Sequence, residues 1–188
     1  MIQLDTLYLQ DCLIGMKNIP DETIDCIICD LPYGTTAHKW DCVIPFEPMW
    51  NAYRRIIKKV NRVLYNDPKS TYRKSQGYGG GKNVLNSGKE YLQEYENYPT
   101  NILKYPRDKN NIHPTQKPVD LIRYLIRTYT SKGDLVLDNC AGSGTTIIAA
   151  ILEERHFIGF EINEDYYNKA AERIENLIIE KEIQSYKA

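Results

Sequence analysis

The stretch that most constrains the fold is Asp134 to Glu161, DLVLDNCAGSGTTIIAAILEERHFIGFE. Leu135–Asp138 and Phe157–Glu161 are short apolar runs bounded by turn signals, the pattern of strands covered on both faces. Between them, Thr145 to Arg155 contains IIAAIL without a breaker and is long enough for a helix. The unit reads as strand, tight turn at Cys140–Gly144, helix and strand, a βαβ unit of an α/β fold. Gly142 and Gly144 permit positive φ and close approach of a ligand, and the first amides of the helix present partial positive charge. A polar or anionic ligand is expected at this turn.

Spacing sorts the ligand classes. Thr145 and Thr146 follow Gly144 where a P-loop requires lysine, so nothing reaches the phosphates of a nucleoside triphosphate. A dinucleotide fingerprint begun at Gly142 would place its third glycine at Ile147, the wrong residue for close helix packing. A nucleoside-type ligand survives, its ribose hydroxyls held by an acid about 20 residues beyond the first glycine, where Glu161 stands. On this unit alone, Glu161 reads equally well as the cap of the next helix.

Upstream, Thr6–Gln10 reads as a strand ending at Asp11, and Cys26–Cys29 as a strand running into Asp30-Leu31-Pro32-Tyr33-Gly34. Pro32 lacks an N–H and has a fixed φ, so it stops the ladder. Asp30 and Tyr33 are left at the carboxyl end of the sheet, the edge where open α/β sheets bind ligands. A plain strand-ending turn accounts for the same residues taken alone. Cys26 and Cys29, three apart on a strand, face opposite sides and have no second pair at ligand spacing, so no metal is expected. The five cysteines read as reduced thiols in a cytoplasmic chain. A net charge of −1 gives no bulk attraction to nucleic acid or membranes, so any polyanion must meet a local patch. No apolar run approaches membrane length.

Taken together, DLPYG (30–34), NIHPTQKP (111–118), DNCAGSGTT (138–146) and FIGFE (157–161) closely resemble the site-specific DNA methyltransferases that modify exocyclic amino groups. The tetrapeptide preceding the cofactor glycines resembles the family's β arrangement, often phage or restriction-modification encoded. The likeness covers residues 1–65 and 98–175. It implies a single methyltransferase domain over 1–188 with an α/β, Rossmann-like S-adenosylmethionine-dependent fold. It also implies S-adenosyl-L-methionine as cofactor, double-stranded DNA as partner and the N6 amino group of adenine as acceptor. Aspartate at the head of the tetrapeptide favours adenine; cytosine N4 is the alternative.

Carried over residue by residue, the resemblance implies that Asp30 and the carbonyl of Leu31 or Pro32 accept hydrogen bonds from the target amine. Such bonds draw its protons out of the ring plane and free a lone pair otherwise delocalised into the base. Tyr33 offers a face on which an extruded base stacks. Glu161 takes the ribose hydroxyls, Asp138 with Cys140, Gly142, Ser143 and Gly144 lines the methionine half, and Asp11 approaches the adenine. Thr115 is expected to cap the helix containing Val119–Thr128 and to hold the cofactor carboxylate.

The sequence departs from the family at three places. Leu31 replaces the first proline of the more frequent tetrapeptide. Asn139-Cys140 stands where Pro-Phe is usual, which removes an aromatic wall from the adenine side. After a helix expected over Phe46–Lys59, only Arg62–Tyr65 offers a further strand, so the sheet is truncated on one side. Thr6–Gln10, Phe157–Glu161, Leu135–Asp138 and Cys26–Cys29 are then four adjacent neighbours, and the last becomes an edge that invites a homodimer. Residues 66–112 contain eight Lys or Arg, five Asp or Glu and six Tyr. They read as a flexible loop or a shortened target-recognition segment that meets phosphates and bases. The rival to an active enzyme is a catalytically inactive remnant that binds S-adenosylmethionine or DNA.

Overall fold

In the computed structural model, residues 2–35, 41–59, 73–74, 95–96, 103–109, 112–113 and 115–186 are described. The expected βαβ unit is present as strand β5 (Leu135–Asp138), helix α4 (Thr145–Leu152) and strand β6 (His156–Glu161). Strands β1 (Thr6–Leu9) and β2 (Cys26–Ile27) complete a sheet of order β1-β6-β5-β2, parallel throughout. This is the neighbour order expected from sequence. Register sets Leu9 opposite Glu161, Asp138 opposite Gly159 and Ile27 opposite Leu137. All four carboxyl ends therefore lie along one edge, which brings Asp11, Glu161, Asp138 and Asp30 toward one another from four separate parts of the chain.

Alternation along the strands divides the core into two layers. Leu135 and Leu137 of β5, with Ile158 and Phe160 of β6, pack with Met16, Ile19, Met49 and Ile56 on one face. Val136 and Phe157 pack with Ile122, Ile126, Ile147 and Ile174 on the other. The first layer comes from helix α1 (Cys12–Gly15), the 3₁₀ turn Met16–Asn18 and helix α2 (Phe46–Ile56). The second comes from helix α3 (Val119–Tyr129), α4 and helix α5 (Glu164–Ser185). A sheet covered by helices on both faces needs strands that are apolar on both sides, and every residue of β5 is buried.

Several boundaries differ from the sequence reading. Helix α2 stops at Ile56 rather than Lys59, because Ile57 turns extended and bridges Ile24 in parallel. Helical spacing alone would put Trp50 and Tyr129 on the apolar stripes of the helices over 46–59 and 119–128, yet both are about half exposed (52% and 48%). Thr115 is not the cap of α3, which starts after Pro118 with no side-chain cap, as suits a residue with fixed φ. Beyond β2, the described residues contain only the Ile24–Ile57 bridge. Arg62–Tyr65 lies outside the described residues.

Residues Asn66–Lys104 make a second compact unit. Within it, strand β3 (Arg73–Lys74) pairs antiparallel with strand β4 (Tyr95–Glu96), Arg73 opposite Glu96. Most of the basic, tyrosine-rich stretch lies outside the described residues. Tyr105 onward belongs with the sheet: the rings of Tyr105 and Tyr124 lie 6.3 Å apart, and Asp108 accepts from the Gln116 side chain and the Val119 amide.

Gly15 shows how closely α1 meets the sheet. A Cβ there would fall 2.1 Å from the Phe160 ring. Glycine to alanine within a helix usually stabilises by about 1 kcal/mol, but here overpacking dominates. Gly15→Ala is expected to destabilise the fold by about 1–3 kcal/mol, read as a lower urea midpoint; an unchanged midpoint would contradict this packing.

Candidate active site

A cavity of about 520 Å³ opens at the carboxyl edge of the sheet. Its size is in the range of small-molecule and cofactor sites. Asp30, Leu31, Pro32 and Tyr33 line it after β2, Asp11 after β1, Asp138 at the end of β5 with Cys140 after it, and Glu161 at the end of β6. Gly142, Ser143 and Thr115 also reach it. Gly144 is the exception among the expected residues. It adopts φ +71 as the residue before α4, and a Cβ there would meet Ala170 at 3.2 Å, so it serves the turn and the α5 contact.

The acids have distinct settings. Glu161 is nearly buried, and its two oxygens accept from the Gly142 and Asn163 amides, each at 2.7 Å. The α5 cap is Asn163, whose side chain accepts from the Tyr166 amide. Glu161 therefore secures the glycine turn and keeps lone pairs for a ligand's hydroxyl donors. Asp11 caps α1, accepting from the Leu13 and Ile14 amides at 2.8 and 3.1 Å.

Asp138 is fully enclosed. Burial pushes its carboxyl up to about 6, against the opposing pull of Thr146 and the Cys140 amide. Its value in the unfolded chain is about 4, so the raised value makes a stabilising contribution that is complete below that pH and lost as pH rises through about 6. The stability difference between wild type and Asp138→Asn is expected to shift by on the order of 3 kcal/mol across this window. Urea unfolding at a series of pH values measures it; a pH-independent difference would contradict it.

At the other end of the cavity, Asp30 accepts from the Tyr33 hydroxyl at 2.6 Å through one oxygen and from Lys117 Nζ through the other. Tyr33 is 66% exposed, a ring face open at the cavity mouth. The buried Asp41 fixes the loop behind it, accepting from the Gly34 and Thr35 amides at 2.8 and 2.9 Å. Lys117 thereby joins segment 112–118 to the tetrapeptide. His113 has a packing role: its ring lies 4.2 Å from that of Tyr166, and its Nδ1 accepts from the Thr115 amide.

Sequence reasoning assigned no role to Lys117, Asp41 or Arg173, and placed Tyr53 only on the apolar face of the helix over 46–59, where it is buried. Arg173 of α5 donates to the Ser143 carbonyl at 3.0 Å and bonds Thr145, which braces the glycine turn from behind. The Asn139-Cys140 departure also acquires a physical account. Asn139 turns inward, where Tyr53 donates to its Oδ1 at 2.6 Å, and its amide reaches the Cys12 and Cys140 sulfurs. A polar cluster thus occupies this place instead of an aromatic wall. Lys117 stood within the quoted motif, whereas the partners of Asn139 come from α1 and α2 and had no local signal.

Comparison with known proteins bears on the family and the fold. The family profile described as DNA methylase, of the N6/N4 methyltransferase type, matches residues 65–172. The DNA adenine methyltransferase YhdJ of Escherichia coli (strain K12) is 40% identical over 243 positions, covering 90% of this chain and 82% of its own. That span exceeds the 188 residues of the chain, so the relative contains residues with no counterpart here. Among solved structures, the cytosine-N4-specific PvuII DNA methyltransferase superposes with TM-score 0.60 at 16% identity, covering 92% of this chain and 90% of that one. The Thermus thermophilus protein TTHA0409, solved with S-adenosyl-L-methionine, superposes with TM-score 0.54 at 18% identity, covering 92% and 95%. With a profile over more than half of its length and a relative this similar over most of it, the chain belongs to the DNA methylase family of N6 and N4 amino-methyltransferases.

Proposed function

We propose that the chain transfers a methyl group from S-adenosyl-L-methionine to the N6 amino group of adenine in a specific sequence of double-stranded DNA. The observation that carries this reading is that Asp30–Tyr33 and the set Asp138, Gly142 and Glu161 line one cavity. Glu161 would hold the ribose hydroxyls, Asp11 would approach the adenine, and Asp138, Cys140 and Ser143 would line the methionine half. The chemistry of the bound cofactor is that of an electrophilic methyl group on a sulfonium. Asp30 and the Leu31 or Pro32 carbonyl accept hydrogen bonds from the amine, Tyr33 stacks on the base, and catalysis rests on positioning and electrostatic preparation. The similarity to YhdJ supports adenine; the aspartate at position 30 does so too.

A second reading is a remnant that binds S-adenosylmethionine or DNA without transferring methyl groups. It is favoured by the residues YhdJ has and this chain lacks, and by the lack, among the described residues, of a further strand beyond β2. Labelled S-adenosylmethionine with unmethylated duplex DNA, followed by nucleoside mass spectrometry, separates the readings. Label in N6-methyladenine supports the proposal, and label in N4-methylcytosine reassigns the base. No label, with cofactor binding retained in calorimetry, leaves the remnant.

The edge beside β2 supports self-association as a homodimer, and a clean monomer in sedimentation at micromolar concentration would end that idea. No described helix is long and apolar enough to cross a membrane, which is compatible with the expected cytoplasmic location.

A further inference from the structure

Cys12 and Cys140 approach each other across the cavity wall from two different elements. Cys12 opens α1 directly after Asp11, and Cys140 opens the glycine turn after β5. Both line the cavity. The Asn139 side-chain amide donates to both sulfurs, at 3.7 Å and 3.4 Å, and so gathers them around one nitrogen. We propose that Cys12 and Cys140 form an oxidisable thiol pair in the cofactor wall, which closes as a disulfide and then excludes the cofactor.

The surroundings make the two thiols unequal. The Cys140 S–H, followed by the Asn139 amide, stabilises negative charge on Cys12 and pulls it below the ordinary thiol value, whereas Cys140 is pushed up by its bond to Cys12 and by burial. Cys26 and Cys29 are raised to about 11, chiefly by burial, which makes them poor nucleophiles. Cys12, buried in the wall yet lining the cavity, is therefore the attacking group. With a small organic disulfide as oxidant, its thiolate attacks one sulfur, the small S–S bond breaks, and one small thiol leaves after taking a proton. Cys140 then loses its proton and attacks the Cys12 sulfur, expelling the second small thiol. Two protein thiols are oxidised and one small disulfide is reduced.

The effect on cofactor rests on the proposed methyltransferase reading; the pairing itself does not. Reduced full-length protein is treated with oxidised glutathione, mapped by mass spectrometry without reduction, and titrated with S-adenosylmethionine by calorimetry. The expected result is a Cys12–Cys140 linked peptide lacking two hydrogens, loss of the binding heat, and recovery of both on adding dithiothreitol. Cys140→Ala is expected to stop at a glutathione adduct on Cys12. Modification confined to the exposed Cys42, or linked protein that binds cofactor as before, would overturn the proposal. If reduced protein binds no cofactor, the methyltransferase reading fails, while the linked peptide still decides whether the pair closes.

Discussion

Replacing Asp30 with alanine is expected to lower methyl transfer by about 10²–10³-fold, the usual cost of losing one pre-positioned group at a reacting centre. Cofactor binding should stay near that of wild type. An exocyclic amine is a weak nucleophile because its lone pair is shared with the ring. A carboxylate oxygen directed at its protons favours the pyramidal geometry that frees the pair. In this structure both Asp30 oxygens already have donors, Tyr33 on one and Lys117 on the other. The incoming amine must share or displace them, so the acceptor is oriented before substrate arrives. Asp30→Asn keeps an acceptor oxygen but removes the charge that holds Lys117, and it should retain more activity than alanine. Single-turnover rates at saturating cofactor measure this. Full activity in Asp30→Ala would remove the tetrapeptide from the mechanism.

The parts legible in sequence were those encoded locally. The βαβ unit was visible because its strands are apolar on both faces and its turn contains glycines that adopt positive φ, Gly142 at +52 and Gly144 at +71. Two more strands were visible in their own residues, family order placed all four as neighbours, and the observed sheet has that order. Asp30 could be placed past the carboxyl edge because Pro32 rules out a strand through it, and β2 in fact ends earlier, at Ile27. In each case a short stretch held both the signal and its consequence.

What escaped was contributed by distant residues. The end of α2 is set by Ile57 bridging Ile24, 33 positions earlier in the chain, and nothing within 46–59 announces it. Asn139 could be recognised as a departure from the family but not explained, since Tyr53, which donates to it, lies on the far side of the sheet sequence. Thr115 had the chemistry of a cap but the wrong position, because Pro118 starts α3 with its fixed φ and leaves Thr115 to bond His113 instead. Gly144 had the right conformation for a ligand turn, yet its open side faces Ala170. Side-chain type predicted which residues could act; only packing decided which of them reached the cavity.

Glu161→Ala is expected to weaken S-adenosylmethionine binding by about 10–100-fold, the range of a charge-assisted hydrogen bond contributing about 1.5–3 kcal/mol. Two effects combine. The variant loses the acceptor proposed for the ribose hydroxyls, and it leaves the Gly142 and Asn163 amides without the carboxylate that both now reach at 2.7 Å. Both amides are part-buried and lose their acceptor, so the glycine turn should loosen and the unfolding midpoint should fall as well. Glu161→Gln keeps the shape and one acceptor oxygen, so it satisfies one of the two amides and should destabilise less than alanine while still weakening the cofactor. The contrast with Asp30 is the informative part. At saturating cofactor, the glutamate variants should recover much of the transfer rate, whereas Asp30→Ala should not recover at any cofactor concentration. Calorimetric titration and rates across a cofactor series separate the two. Unchanged affinity in both Glu161 variants would mean that this acid serves the turn alone and that the ribose is held elsewhere.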